Sequence, residues 1–185
     1  MIQKQEPEFD YSFKLPYLRR STKPIYVNDI DGKKIGIIQK YYSSNLDKFL
    51  DQYASLINKT NYRISMENVD QAFQAVFGKL KDTLFRNKWD IFKDEEIKVG
   101  SLINKTKIQT NPRYLYTTEH ETYNIKSDLL DKNTFITDSS GTIIAKTYYK
   151  NVVAIRDVYI KIYRKNILTL EEILILAIVT VKVSD

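Results

Sequence analysis

The sequence predicts a mainly β protein, in which a closed antiparallel barrel of about twelve strands encloses a hydrophobic C-terminal α-helix. Apolar side chains occupy every position from Ile173 to Val179, so a helix there would be apolar all round and must be enclosed. Upstream, six hairpin-like units recur every 20 to 35 residues, roughly as in barrels and sandwiches. A barrel of that size has a lumen too wide for its own side chains, and the helix would fill it.

The C-terminal helix has a clear start signal. Thr169 precedes Glu172 by three residues, which is the capping-box pattern of a helix N-terminus. We therefore expect the helix near residues 169–182. Its apolar core is well short of the ~20 residues that span a bilayer, so a transmembrane segment is not predicted.

The strands are predicted from short runs that contain an aromatic residue and precede a polar turn. In the first unit, Asp31-Gly32 is a two-residue turn signal between residues 25–28 and 33–41. The later units begin at residues 62–66, 89–92, 114–116, 134–137 and 158–162. The return segment after residue 66 fits helical spacing as well as a strand, because Val69, Ala72, Phe73, Val76 and Phe77 share both patterns.

A second, amphipathic helix is predicted over residues 44–57, capped by Ser43 or Ser44. We expect its apolar face to pack on the outside of the strands. Its polar face contains Asp47 and Asp51, unlike the Lys/Arg-rich face of a membrane-surface helix. The apolar face is formed by Leu46, Phe49, Leu50, Tyr53, Leu56 and Ile57.

One compact domain is expected for 185 residues, with a loosely ordered N-terminal arm at 1–23 and the barrel domain at 24–185. A short edge strand is expected within the arm, around residues 11–15. The N-terminus has no apolar run typical of a secretory signal, so we expect a cytoplasmic protein, either free or peripheral to the membrane.

The composition limits the classes of function. The net charge of +6 comes from 29 basic and 23 acidic residues, a balance that permits anionic partners without requiring them. Nucleic-acid binding is disfavoured because the charge is too mixed for a phosphate-tracking stripe, and alternating tyrosines usually pack in sheets.

Catalytic groups are scarce. His120 is the single histidine, lies in a predicted turn and is best explained as a solvated loop residue. With no cysteine, a zinc site is implausible, and no Gly-rich phosphate loop is present. We predict no catalytic residues, no metal and no cofactor. The alternative is an enzyme with a small-molecule pocket at the barrel mouth, for which only scattered acids such as Asp128 and Asp131 are available.

A resemblance to a known family is carried by residues 25–42, 88–91, 105–114 and 125–132 and by the final helix. These stretches resemble the tubby C-terminal-like domains, in which a twelve-stranded barrel surrounds a hydrophobic C-terminal helix. This superfamily includes phospholipid scramblase-like and LURP-one-related proteins, and the similarity is closest to small, single-domain bacterial members. The resemblance covers residues 24–182 and implies binding at a membrane surface, because tubby domains bind phosphoinositides through Lys and Arg. No phosphoinositide-binding motif aligns with this chain, and the acidic calcium segment of scramblases is absent.

The best candidate binding site lies between residues 105 and 113. If 105–108 is a strand, Lys105 and Lys107 share one face, and the Asn111-Pro112 turn brings Arg113 nearby. Three cations could then bind a phosphate headgroup. The alternative is an exposed polar strand face. We therefore expect a non-enzymatic binding module for anionic phospholipid headgroups or a protein partner, with a structural or regulatory interaction protein as a further option.

Overall fold

A computed structural model describes residues 8–16, 21–53, 60–67, 69–78, 86–106, 111–127, 132–149 and 157–181. These residues form a closed barrel of twelve antiparallel strands and two helices, which confirms the predicted fold class. The strands are β1 (Tyr11–Lys14), β2 (Ile25–Asp29), β3 (Lys34–Tyr41), β4 (Asn61–Met66), β5 (Ala72–Phe77), β6 (Lys88–Lys93), β7 (Ile97–Asn104), β8 (Arg113–Thr118), β9 (Thr122–Ser127), β10 (Asn133–Thr137), β11 (Ile143–Tyr149) and β12 (Asp157–Ile162). The helices are α1 (Asn45–Tyr53) and α2 (Leu170–Thr180).

Barrel closure depends on β1. Every strand pairs with its neighbour in the chain, and β1 pairs with both β2 and β12. Tyr11 lies opposite Ile160 on one side and Asp29 on the other. The sequence placed residues 11–15 in an arm with an edge strand, whereas β1 has hydrogen-bonded neighbours on both sides. The barrel therefore includes a strand that precedes residue 24.

Helix α2 occupies the interior, as the sequence predicts. All residues from Glu172 to Thr180 are buried. Around them, the core includes inward-facing side chains of many strands, such as Ile38, Ile64, Ile91 and Ile160, each fully buried. The hydrophobic effect thus holds helix and barrel together, because neither could cover its apolar surface alone.

Both capping-box bonds of α2 form. The Glu172 amide donates to Thr169 Oγ1 at 3.2 Å, and the Thr169 amide donates to Glu172 Oε2 at 2.9 Å. Two amides at the helix start are thereby satisfied. At the other end, the Thr180 hydroxyl donates to the Leu176 carbonyl at 2.6 Å.

The ambiguous return segment of the second unit is a strand. Strand β5 pairs with β4 on one side and β6 on the other, so its backbone groups are satisfied by the sheet. Phe73 faces the core, with Ile64 and Lys93 as its cross-strand neighbours.

Helix α1 has the predicted cap but not the predicted packing. Ser44 Oγ accepts a hydrogen bond from the Asp47 amide at 3.1 Å. Leu46 and Phe49 nevertheless remain 64% and 54% exposed, so the prediction that this face packs on the barrel is wrong for these two side chains. Helical spacing identifies an apolar face but not the surface available to it. The side-chain amide Nδ2 of Asn61 donates to Ser43 Oγ at 2.8 Å and holds the start of α1 beside the end of the barrel.

Candidate anion-binding site

Lys105 and Arg113 are neighbours where β7 passes into β8. The Lys105 amide donates to the Arg113 carbonyl at 2.7 Å, and the Arg113 amide donates to Thr106 Oγ1 at 2.9 Å. Strand β7 ends at Asn104, so Lys105 and Thr106 follow the strand instead of continuing it. Lys107, the third cation of the predicted site, lies outside the described residues.

The Arg113 guanidinium is held against the backbone of the barrel. Its Nη1 donates to the Pro112 carbonyl at 3.0 Å and to the Ser127 carbonyl at 2.6 Å. Hydrogen bonds that involve a charged group are among the stronger ones in proteins. The guanidinium of Arg113 is therefore held in position where β8 begins and β9 ends. Its side chain would lose little conformational entropy on binding an anion.

A third cation, Lys126, lies directly opposite Arg113 in the β8–β9 ladder. Directly opposed side chains share one face of a sheet, with Cβ atoms about 4.5–5.5 Å apart. Lys105, just after β7, thus forms a row with Arg113 on β8 and Lys126 on β9, which we call the basic row. Lys105 and Lys126 are exposed, and neither has an ion-pair partner among the residues that the structure describes.

Like charges directly opposite one another destabilise a sheet, by roughly 0.2–1 kcal/mol for a cross-strand pair. A bound anion would reduce the repulsion between Arg113 and Lys126. Phosphate is a suitable anion because its oxygens accept several charge-assisted hydrogen bonds at once.

Further cations continue the row around the barrel, but their ammonium groups already have partners. Beyond Lys126 the same register line passes through Phe135, Lys146 and Lys161. The Lys146 ammonium lies 4.7 Å from the centre of the Tyr148 ring. The Lys161 ammonium lies 3.3 Å from Asp10 Oδ1 in a largely buried ion pair, so its charge is compensated.

Lys126 and Lys146 are the residues that sequence reasoning missed. A local signal existed for Lys126, because counting outwards from the Glu119–Glu121 turn pairs Arg113 with Lys126. No local signal exists for Lys146, which joins the row only through the registers of β10 with β9 and β11.

The two ends of the barrel differ in charge. We call the end with the five hairpin turns the acidic end, because the turns between β2 and β3, β4 and β5, β6 and β7, β8 and β9, and β10 and β11 contain nine carboxylates but only one lysine, Lys33. The carboxylates belong to Asp31, Glu67, Asp70, Asp94, Glu95, Glu96, Glu119, Glu121 and Asp138.

The segments between strands at the opposite, basic end have the reverse composition. By sequence, the stretches 15–24, 42–60, 78–87, 105–112, 128–132 and 150–156 contain thirteen Lys or Arg and five Asp or Glu. The basic row lies at this end, since β7 and β9 end there and β8 begins there. Among the residues that the structure describes, the connections at this end contain five Lys or Arg and two Asp. At the acidic end, the nine carboxylates of the turns are accompanied by Lys33 and, in the connection from β12 to α2, by Arg164 and Lys165. The two ends of the described barrel therefore differ in the sign of their charge.

Several carboxylates of the acidic end have structural roles. Asp29, the last residue of β2, accepts hydrogen bonds from the Asp31 and Lys33 amides at 3.0 and 2.9 Å. Asp138 accepts from the Thr142 amide at 2.8 Å. Within the described part of the chain, no group of three or more His, Cys, Asp or Glu could hold a metal ion.

A pocket of about 380 Å³ lies at the barrel mouth where the chain enters α2. Asp10 and Lys165 are among its lining residues, with Leu168 and Leu170. The Asp10 oxygens accept from Lys161 Nζ at 3.3 Å and from the Ile162 amide at 2.7 Å. Because both oxygens serve the ion pair and the backbone, Asp10 is poorly placed to act as a general base.

Two shallow polar pockets adjoin on the outer face of β3 and share Gln39 and Tyr41. The second of these pockets has a volume of about 500 Å³. In it the Tyr41 hydroxyl donates to Gln74 Oε1 at 2.6 Å, and Arg63 Nη1 lies 3.0 Å from Glu95 Oε1. The charge of Arg63 is balanced by Glu95. Two other cations precede or begin β6: Lys88 is paired with Asp90 at 3.3 Å, and Arg86 is exposed just before the strand.

A buried polar pair joins the barrel to the start of α2. Tyr116 Oη donates to Glu172 Oε1 at 2.6 Å, and both side chains are buried. Burial, followed by the Glu172 carboxylate, holds the pKa of Tyr116 far above its usual range. Gly100 makes room for the ring, since a Cβ there would lie 2.5 Å from Tyr116 Cε2. This pair positions α2 and is not accessible to a substrate.

The remaining titratable residues that could act in catalysis are not brought together in the described part of the chain. His120 is exposed in the β8–β9 turn, as expected of a solvated loop residue, and Asp128 and Asp131 lie outside the described residues. No helix of the described chain is long and apolar enough to cross a bilayer.

Comparison with known proteins supports the interpretation of the fold. The family model of the Tubby C-terminal like domain matches residues 11–183, a span that includes all twelve strands and α2. The chain belongs to this family. No curated protein and no solved structure shows significant similarity to it. The match of this tubby-like domain begins at Tyr11, the first residue of β1, in agreement with the role of that strand in closing the barrel.

Proposed function

We propose that this tubby-like domain is a non-enzymatic binding module for anionic phospholipid headgroups at a membrane surface. The observation that carries the proposal is the basic row, in which Lys105 lies beside Arg113 and Arg113 lies opposite Lys126. Membership of the tubby-like family supports it, since the family is associated with lipid and protein binding. Lys107 is retained as a candidate contributor because it lies two residues beyond Lys105 in the sequence.

The separation of charge favours one orientation. An anionic surface attracts the basic end of the barrel and repels the acidic end, and both effects weaken as salt screens them. The proposed site and the overall field of the molecule thus direct the same end towards the lipid. This agreement favours the headgroup proposal over an enzyme at the barrel mouth, where Asp10 is engaged with Lys161.

Sedimentation with vesicles tests the proposal. We expect binding to phosphatidylcholine vesicles that contain phosphatidylserine or a phosphoinositide, and little binding to phosphatidylcholine alone. The variant Lys105→Glu/Lys126→Glu should bind at least tenfold more weakly, because each basic residue near an anionic surface contributes roughly 1 kcal/mol. Lys105→Glu/Lys107→Glu tests the contribution of the residue outside the described chain.

The matched control is Lys33→Glu/Lys93→Glu, which makes the same change in charge at the acidic end. It should weaken binding much less than the variant of the basic row. Calorimetry with a soluble inositol phosphate separates recognition of the headgroup from attraction to a charged surface. Equal binding to neutral and anionic vesicles, or equal losses in both variants, would overturn the assignment of the basic row.

A further inference from the structure

Helix α1 presents apolar side chains to solvent at the same end of the barrel as the basic row. It lies in the connection between β3 and β4, and β3 runs in the same direction as β7, at whose end Lys105 lies. Leu46 and Phe49 are spaced three residues apart, so they share one helix face, and they are 64% and 54% exposed. A surface helix of a soluble domain normally turns such a face towards the core.

We infer that α1 inserts Leu46 and Phe49 into the interface of an anionic bilayer while the basic end of the barrel binds the headgroups. This inference rests on the proposed function and adds the way in which the domain meets the lipid. An apolar helix face enters about 5–10 Å into the boundary between headgroups and acyl chains. Side chains already outside the core can do so without unfolding the domain.

The charge of α1 explains why the helix needs the barrel. Its nine residues include Asp47, Lys48 and Asp51, so two negative charges stand against one positive charge, and the helix itself is not attracted to anionic lipid. The Asp47 carboxylate accepts from the Ser44 hydroxyl at 2.9 Å at the helix cap. Reversible membrane binding becomes stable when two weak signals combine. Here the positive charge of the basic end supplies one signal and the exposed apolar face of α1 supplies the other.

The acidic end offers a natural comparison, because it also exposes apolar residues. Ile97, at the start of β7, is 59% exposed, close in extent to Leu46. It directly follows Asp94, Glu95 and Glu96, whose charges an anionic surface repels. Exposure of an apolar side chain is therefore insufficient for insertion, and the surrounding charge selects which end meets the bilayer.

The absence of cysteine makes a site-specific test simple. Leu46→Cys and, as the matched control, Ile97→Cys are each labelled with nitrobenzoxadiazole and mixed with vesicles that contain phosphatidylserine and a spin-labelled lipid. We expect a blue-shifted emission and quenching by the spin label for position 46 but not for position 97. Sedimentation of the same samples reports whether the protein is bound.

The two readouts separate the two proposals. Bound protein with an unshifted label at position 46 would overturn insertion and leave headgroup binding intact. Equal shifts at both positions would overturn the proposed orientation. Failure to sediment with any anionic vesicle would overturn both.

A pair of unlabelled serine variants controls for effects of the fluorophore on binding. Leu46→Ser should weaken binding to anionic vesicles several-fold and leave binding to soluble inositol phosphate unchanged, because only the vesicle has an apolar layer. Ile97→Ser should change neither. Wild-type affinity of Leu46→Ser for vesicles would contradict the inference.

Discussion

Helices α1 and α2 are both rich in apolar residues, with nine and eleven residues respectively, but they have opposite environments. In α2 all residues from Glu172 to Thr180 are buried, whereas Leu46 and Phe49 of α1 face solvent. The apolar residues of α2 surround the helix, so only an enclosed position satisfies them, and those of α1 lie on one face, which a partner outside the domain could cover. An apolar residue therefore contributes to folding only where the fold covers it.

Removal of α2 should have the largest effect. A chain that ends before Thr169 leaves the lumen lined by Ile38, Ile64 and Ile91 without its filling. We expect such a truncated protein to be insoluble or unfolded by circular dichroism and to lack a cooperative urea transition. A soluble truncated protein with a cooperative transition would contradict this prediction, because α2 would then be dispensable for folding.

The same Leu→Ala substitution, made once in each helix, compares their contributions to stability. Leu176→Ala removes a fully buried side chain and should lower the free energy of unfolding by about 2–5 kcal/mol. Leu46→Ala removes an exposed side chain and should change it by no more than about 0.5 kcal/mol. Urea denaturation of both variants at equal concentration measures the difference, and equal effects would show that α1 contributes to the core.

The smallest effect concerns the buried contact of α2 at high pH. Burial raises the pKa of Tyr116, and burial with Glu121 raises that of Tyr123 to about 12. The folded state therefore holds these protons more tightly than the unfolded state, in which tyrosine titrates near 10. The associated stability is fully present below about pH 10 and is lost as the pH rises towards the folded values.

Urea denaturation between pH 8 and 11 measures this loss of stability. We expect a shallower decline for Tyr116→Phe than for the wild type above pH 10, together with a lower starting stability because Glu172 loses a donor. Leu46→Ala, which leaves every tyrosine in place, serves as the control and should decline like the wild type. An unchanged slope in Tyr116→Phe would show that its hydroxyl does not contribute to the alkaline loss.

The sequence predicted the features that depend on local pattern. The Thr169–Glu172 box and the continuous apolar run determine α2, because capping and enclosure follow from neighbouring residues. Most strands followed from aromatic runs and turns. Strand β5 stayed ambiguous because its apolar spacing fits two periods, and only pairing with β4 and β6 decides between them.

The site was less predictable, because it depends on register between strands. Lys105 and Arg113 were identified since one short turn separates them, and their assignment as an anion site remains a prediction. Lys126 could be found only by counting residues outwards from the β8–β9 turn, and Lys146 joins the row through ladders that no short stretch of sequence encodes. The charge separation between the two ends was also missed, since a linear reading sees interspersed charges whereas the antiparallel order sorts alternate connections to opposite ends.

The pairing of β1 with β12 has a consequence for how the protein is made. The first strand of the barrel finds one of its two partners only after residues 157–162 have been synthesised, and the core is complete only when α2 has emerged. Contacts of such wide sequence separation slow folding. During translation the growing sheet therefore exposes unpaired edges and an unfilled lumen, the features that make partly folded β proteins prone to aggregation. We expect the nascent chain to depend on chaperones until its last helix is available.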